Sequence, residues 1–362
     1  MENTNVQILD GRTAGRECKM ATSRCHVGLI VYLFAASIVA SVASFFLGIF
    51  GSFNPDAYTY ILSDPLYSSI LIWGLQILAM YIIGYPIFHL MTRYIPRRDI
   101  SKKEKLGLLE FLMLAIATQG IIFIGSMIAS AVTDFINAKL GIVVEDSTSE
   151  LIVSTNIWII ILVVVIIGPI FEELIFRKVF VDAIGKYNIR LAVLISGASF
   201  ALFHGNITQV IYTFAVGLIL GWVYAKTKNI LHTILIHMFI NFFGSIPSLL
   251  IMDSYNRIQG MTDEELASIT DPALLMDVAK VSAYSLMTYG FIFIGGFLLL
   301  TMLFKGYFKL PRDGEVKIPF FKKLGILFFN WGTIIFVLYS VFTIIGNLFM
   351  PLFEQYLENY LV

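Results

Sequence analysis

Charge is the scarcest property of this chain. Only 14% of its 362 residues are Asp, Glu, Lys or Arg, and 58% are hydrophobic; soluble domains carry about 25% charged and 45–50% apolar residues. That shortage excludes an ordinary soluble globular protein. The 25 basic and 25 acidic residues cancel, so no charge excess points to nucleic acid as a partner. Cysteine is nearly missing as well. Cys18 and Cys25 are the only two, and both precede the first long apolar run. A cysteine nucleophile within a membrane core is therefore not expected. With His26 they lack a fourth ligand and fit no zinc spacing, so they read as incidental thiols of a flexible tail. No cleavable signal peptide is expected, because about 26 mostly polar residues come before an apolar run too long for a signal core. No internal repeat or low-complexity linker is evident.

What the chain has in abundance is long apolar runs. Segments near the roughly 20 residues needed to cross a bilayer fall at 27–49, 68–91, 106–132, 151–176, 191–203, 207–225, 231–251, 282–304 and 324–348. The fifth is short for a span. The expected fold is an all-α polytopic membrane bundle of about nine transmembrane helices, in contact with membrane lipid. It divides into a cytoplasmic tail (1–26), three accessory helices (27–150), a four-helix core (151–251), and an acidic loop with two further helices (252–362).

Connection charges alternate in sign. Basic residues gather before the first run (Arg12, Arg16, Lys19, Arg24), at 93–105, at 177–190, at Lys226 and Lys228, and at 305–323. The connections between are acidic: Asp56 and Asp64; Asp134, Glu145, Asp146 and Glu150; then Asp253, Asp263, Glu264, Glu265, Asp271 and Asp277. Lys139, Arg257 and Lys280 run against the pattern. Since basic loops stay cytoplasmic, the N-terminus is expected inside and the C-terminus outside. In the last acidic connection, Thr262 with Glu265 reads as a capping box and Asp271-Pro272 as another helix start. Gly217 and Gly221 form a small-xxx-small pair that allows close helix approach.

The segment 168–178, Gly-Pro-Ile-Phe-Glu-Glu-Leu-Ile-Phe-Arg-Lys, is the anomaly. It sets two carboxylates and a guanidinium against an apolar run, and an ionisable group at the centre of a membrane helix costs about 2.5–3.5 kcal/mol on insertion scales. On a helix, Arg177 lies one turn from Glu173 and can pair with it, whereas Glu172 is rotated by roughly 100°. The pair explains Glu173 and Arg177 as support and leaves Glu172 available as a base. A wholly structural ion pair would leave Glu172 without a role.

Two later segments add polar groups. Phe200 and His204 are four apart, with Gly205-Asn206 as a turn beyond; His204 alone could be a hydrogen-bonding group at a helix end. His237 and Asn241 are four apart within an apolar run, so they need partners or line a cavity. His232 and His89 read as interfacial. Together, Glu172 and His204 could activate water while His237 and Asn241 stabilise an oxyanion. Zinc would require ligands from three helices, with no His-Glu-x-x-His on one; neither metal nor cofactor is expected.

Three patterns in order, Glu172-Glu173-x-x-x-Arg177, Phe200-x-x-x-His204 and His237-x-x-x-Asn241, with the stretch 214–224 before the last, resemble the CPBP family. These are the CAAX-processing and bacteriocin-processing intramembrane proteases (Abi proteins), which include the Ras-converting glutamic endopeptidases. The resemblance covers about residues 155–245. It implies a helical core with a site in a cavity open to the cytosol, Glu172 as the water-activating base, His204 as its partner, and His237 and Asn241 at the oxyanion. It also implies a membrane-associated peptide or protein as substrate. A non-catalytic scaffold or bacteriocin-immunity protein binding a peptide in that cavity is the alternative. A proton-coupled transporter would need inverted repeats and broken helices that the sequence does not display.

One tension concerns depth. Counting 1.5 Å per residue from the nearest basic residues, Glu172 lies about 8 Å in, His237 about 10–13 Å, and His204 about 20 Å. Either the fifth helix tilts strongly or the fourth continues past Arg177, making that arginine internal. The pairing of Arg177 with Glu173 favours the second.

Overall fold

The computed structural model describes residues 11–100, 103–141, 151–310 and 318–361. Among them there is no strand. We name the helices α1 (Gly11–Phe53), α2 (Pro55–Ser63), α3 (Pro65–Thr92), α4 (Leu108–Leu140), α5 (Ile157–Gly185), α6 (Ile189–Phe203), α7 (Ile207–Thr227), α8 (Ile230–Ile258), α9 (Asp263–Ala267), α10 (Pro272–Phe304), α11 (Phe320–Phe328) and α12 (Trp331–Leu361). Eight of these are long and apolar enough to cross a membrane, and α6 falls short at 15 residues. The protein is a multi-pass all-α membrane bundle. Of the nine runs expected, that at 191–203 is the one whose helix, among the described residues, is shorter than a full span.

Asparagine starts each helix of the core. The side chains of Asn156, Asn188, Asn206 and Asn229 accept from backbone N–H groups of α5, α6, α7 and α8 respectively. An N-cap of this kind satisfies donors that would be orphaned in a low-dielectric setting. Left-handed residues end two segments, Gly205 (φ +61°) after α6 and Lys228 (φ +53°) after α7. Thr262 and Glu265 close the expected capping box on α9, and the Thr262 N–H and hydroxyl hold the Glu265 carboxyl below its ordinary pKa. Asp271 caps α10, with Pro272 at its first position.

The tail expected at residues 1–26 is corrected from Gly11 onward: α1 begins there and packs. Ala14, Cys18, Ala21 and Cys25 form a stripe of small side chains at three- and four-residue spacing, all buried, and small residues let helices approach closely. The thiols are free and fully buried. His26 continues the contact. Its Nε2 lies 2.8 Å from Ser199 Oγ on α6, and its Nδ1 lies 2.9 Å from Thr333 Oγ1 on α12. Of the connection charges named above, Glu145, Asp146, Glu150, Lys102, Arg312 and Lys317 lie outside the described residues.

Glycine sets the spacing of the core. A Cβ on Gly217 would stand 2.8 Å from the Gly197 Cα, and Gly221 faces Val193 at 3.2 Å. The pair Gly217 and Gly221 thus seats α7 against α6. Helices α4 and α7 run antiparallel. Lys226 at the end of α7 bonds Glu110 at the start of α4 at 2.8 Å, and Gly125 of α4 abuts Tyr212 of α7.

Candidate active site

Helix α5 changes register around its charged segment. Gly168–Glu173 is α-helical between two π-helical stretches, Ile161–Ile167 and Leu174–Val181. In the first, the N–H of Gly168 reaches back five residues to the Val163 carbonyl. The next residue is Pro169, which has no N–H to offer, so the matching bond to Val164 cannot form. The Asn241 amide fills that place, donating to the Val164 carbonyl at 2.9 Å. Asn241 thereby fixes α8 against the irregular turn of α5, and a second amide hydrogen is left for the cavity.

Helix α5 also runs on to Gly185, so Arg177 is internal and fully buried. Glu172 then lies 13 residues from the helix end, about 20 Å, the same depth as His204. The favoured resolution of the depth tension holds, and no strong tilt of α6 is needed. Arg177 Nε is 3.0 Å from Glu173 Oε2, with both side chains out of solvent. The guanidinium also lies over the Phe200 ring, 4.9 Å from its centroid. A buried pair of this type contributes little net stability when intact and costs much when broken.

His237 joins the two glutamates. Its Nδ1 is 3.0 Å from Glu173 Oε1 and its Nε2 is 3.5 Å from Glu172 Oε2. The sequence pairs Glu173 with Arg177 only; its second oxygen holds the histidine. Such a carboxylate–imidazole bond orients a ring and fixes which nitrogen faces the cavity. Glu172 itself keeps about one-fifth of its side chain exposed.

His204 ends α6. Its Nδ1 lies 2.8 Å from the Phe200 carbonyl, which can only accept, so Nδ1 carries the hydrogen. In the neutral ring Nε2 is then an acceptor. The structural reading of His204 as a helix-end hydrogen-bonding group is correct for one nitrogen and leaves the other free for chemistry. Phe200 packs edge-to-face on both His204 (4.8 Å) and His237 (5.6 Å). Ser196 of α6 bonds the Phe176 carbonyl of α5 at 2.8 Å, which keeps these helices in register.

Glu172, Phe200, His204, His237 and Asn241 all line one cavity of about 810 Å³. Glu173 and Arg177 stand behind its wall. Among the described residues no three His, Cys, Asp or Glu side chains converge as a metal-ligand set. His232 lies apart from the cavity, bonded weakly to its cap Asn229, and His89 packs on Tyr85.

The same cavity takes residues outside the motifs. Gln76 and Tyr81 come from α3; Ser126, Ser130, Thr133, Asp134 and Asn137 come from α4. Tyr81 stacks on Phe171 with centroids 4.6 Å apart, and its hydroxyl and Glu172 Oε1 both border Gly168. The α4 group was visible in the sequence as polar residues at four- and three-residue spacing in an apolar run, the pattern of a single polar face.

Residues 154–243 match the family described as Type II CAAX prenyl endopeptidase Rce1-like. A Bacillus subtilis (strain 168) protein named "Putative membrane peptidase YdiL" is 30% identical over 179 residues, covering 49% of this chain and 72% of that protein. The "UPF0177 protein YxdF" of Lactococcus lactis subsp. lactis (strain IL1403) is 31% identical over 94 residues, 26% of this chain and about half (51%) of that protein. No solved structure matches to the same standard. Three motifs seated together on adjacent helices, within the matched span, fit these similarities: the chain belongs to the CPBP family of membrane proteases, with the Rce1-like endopeptidases.

Proposed function

We propose that this protein is an intramembrane endopeptidase that hydrolyses a peptide bond of a membrane-associated peptide or protein with water activated by Glu172 and His204. The observation that carries this reading is the convergence of Glu172, His204, His237 and Asn241 on one cavity. Of the two motif glutamates, Glu173 pairs with Arg177 while Glu172 lines the cavity. His204 Nε2 is an acceptor that can hold the second hydrogen of a water lying against Glu172.

The steps follow from these roles. Glu172 takes a proton from the water as its oxygen bonds to the scissile carbonyl carbon. The carbonyl electron pair moves to oxygen, and that oxyanion accepts from the Asn241 amide and from His237. The His237 Nε2, 3.5 Å from Glu172, is placed to take the proton and, once protonated, to donate. On collapse the carbonyl reforms, the C–N bond breaks, and the departing amine recovers the proton by way of Glu172. General base and oxyanion terms of this kind each supply about 10²–10³-fold or more. No metal is assigned a step.

Cleavage of quenched fluorogenic peptides by the purified protein in liposomes tests the proposal. Glu172→Ala and His204→Ala are expected to abolish turnover; wild-type rates from either would sink it. Peptide binding that survives Glu172→Gln, with no turnover by the wild type, would instead favour a scaffold.

A further inference from the structure

The cavity has a floor and a direction. Glu172, His237, Phe200 and Val216 form the floor. From there the lining follows α4 from Ile122 to Asn137, α5 back to Val163, Ile152 in the segment ahead of α5, α3 back to Trp73, and α8 on to Ser245. Trp73 bonds Thr155 at 2.9 Å, so these helix ends lie together. Fifteen helical rises along α4, from Ile122 to Asn137, give the cavity a length of about 22 Å. Every step away from the floor leads to the same end of the bundle. No described residue of the connections 93–107, 186–190, 226–229 or 305–310 lines it.

That end is the acidic one. It carries Asp56, Asp64, Asp134, Asp253, Glu264, Glu265 and Asp271, and, among the described basic residues, only Lys139, Arg257 and Lys280. Arg257 is paired with Asp277 at 2.6 Å. The basic connections gather at the opposite end, and basic connections mark the cytoplasm. We infer that the cavity opens to the extracytoplasmic side, and that its substrate is a peptide segment entering from the outer face. This is the reverse of the cytosolic opening that the family resemblance implies.

The walls match such a guest. Ser126, Ser130, Thr133 and Asn137 form a polar face on α4, with Gln209 and Tyr212 from α7; Trp73 of α3, Val163 of α5 and Ile152 ahead of α5 supply apolar surface. An extended chain needs hydrogen-bonding groups for its backbone and apolar contact for its side chains. At about 3.3 Å per residue, the cavity length takes roughly seven residues. The substrate class is accordingly an exported peptide, or the outer juxtamembrane segment of a membrane protein. A prenylated cytosolic C-terminus would have to cross the membrane to reach Glu172. The peptide assignment rests on the protease reading; the direction of opening does not.

Cysteine accessibility separates the two. In a Cys18→Ala/Cys25→Ala background, Ser126→Cys and Ser130→Cys report on the cavity, and Lys186→Cys on the basic end. A charged, membrane-impermeant maleimide added to intact cells is expected to label both cavity variants and not Lys186→Cys. In inverted vesicles Lys186→Cys gains labelling. Cavity variants labelled only in inverted vesicles, or in neither preparation, overturn the inference. Labelling needs no turnover, so outside access without peptide cleavage would sink the protease reading alone. Cleavage with inside access would sink this inference alone.

Discussion

Asn241 donates to the carbonyl of Val164 across two helices, at 2.9 Å, in the place left by Pro169. The motif residue expected at the oxyanion is thus also a structural repair of α5. Asn241→Ala is expected to leave a buried carbonyl unpaired and cost about 1–3 kcal/mol, besides lowering turnover. Pro169→Ala returns an N–H to α5, so Asn241→Ala should cost less in that background. A double-mutant cycle on thermal unfolding in detergent measures the coupling; additive effects would contradict the relationship.

Removing the Arg177 side chain should be among the most damaging single changes. Arg177→Ala abandons Glu173 in a dry interior, with an expected loss of about 3–5 kcal/mol. Arg177→Lys should not restore it, because a lysine has no planar guanidinium to lie over Phe200 while its Nε meets Glu173. The yield of monodisperse protein and its unfolding midpoint are the measurements.

Glu172→Gln should behave oppositely. Glu172 is partly exposed and stands 3.5 Å from His237. The unfolding midpoint should match wild type while kcat falls by about 10²–10⁴. A parallel loss of stability would mark Glu172 as structural.

Close packing of α6 on α7 supplies a third class of change. Gly217→Val would drive methyl groups into the Gly197 backbone, already 2.8 Å from a Cβ position, and overpacking of this kind costs about 1–3 kcal/mol. Because α6 carries Phe200 and His204, peptide cleavage should drop along with the unfolding midpoint.

Metal dependence has a direct check. With the roles assigned above, peptide cleavage should persist after dialysis against a strong chelator. Activity lost on chelation and restored by zinc would replace Glu172 and His204 as water activators with metal ligands.

The charged motif was legible because ionisable groups in apolar runs are expensive and helical spacing sorts them. The Glu173–Arg177 pair is present in three dimensions. So is the continuation of α5 past Arg177. What the spacing could not reveal is the second use of Glu173, since its bond to His237 joins residues 64 apart. Nor could it reveal Asn241 on Val164, which depends on a π-helical register that no side-chain pattern announces. The start of α1 was missed because Arg12, Arg16 and Lys19 made a polar stretch look unstructured, although Ala14, Cys18, Ala21 and Cys25 already carried the helical period.

Helix α6 is only 15 residues long, about 22 Å, against a hydrocarbon thickness of about 30 Å. Measured from its start beside the basic 186–190 connection, its closing turn at Gly205-Asn206 stops about 8 Å short of the far boundary. Backbone may leave a helix at that depth only where protein or a watered cavity covers it. A helix of fixed length thus acts as a gauge. It sets the distance between the membrane surface and His204, so a bilayer of different thickness would shift which bond of an anchored peptide meets the water.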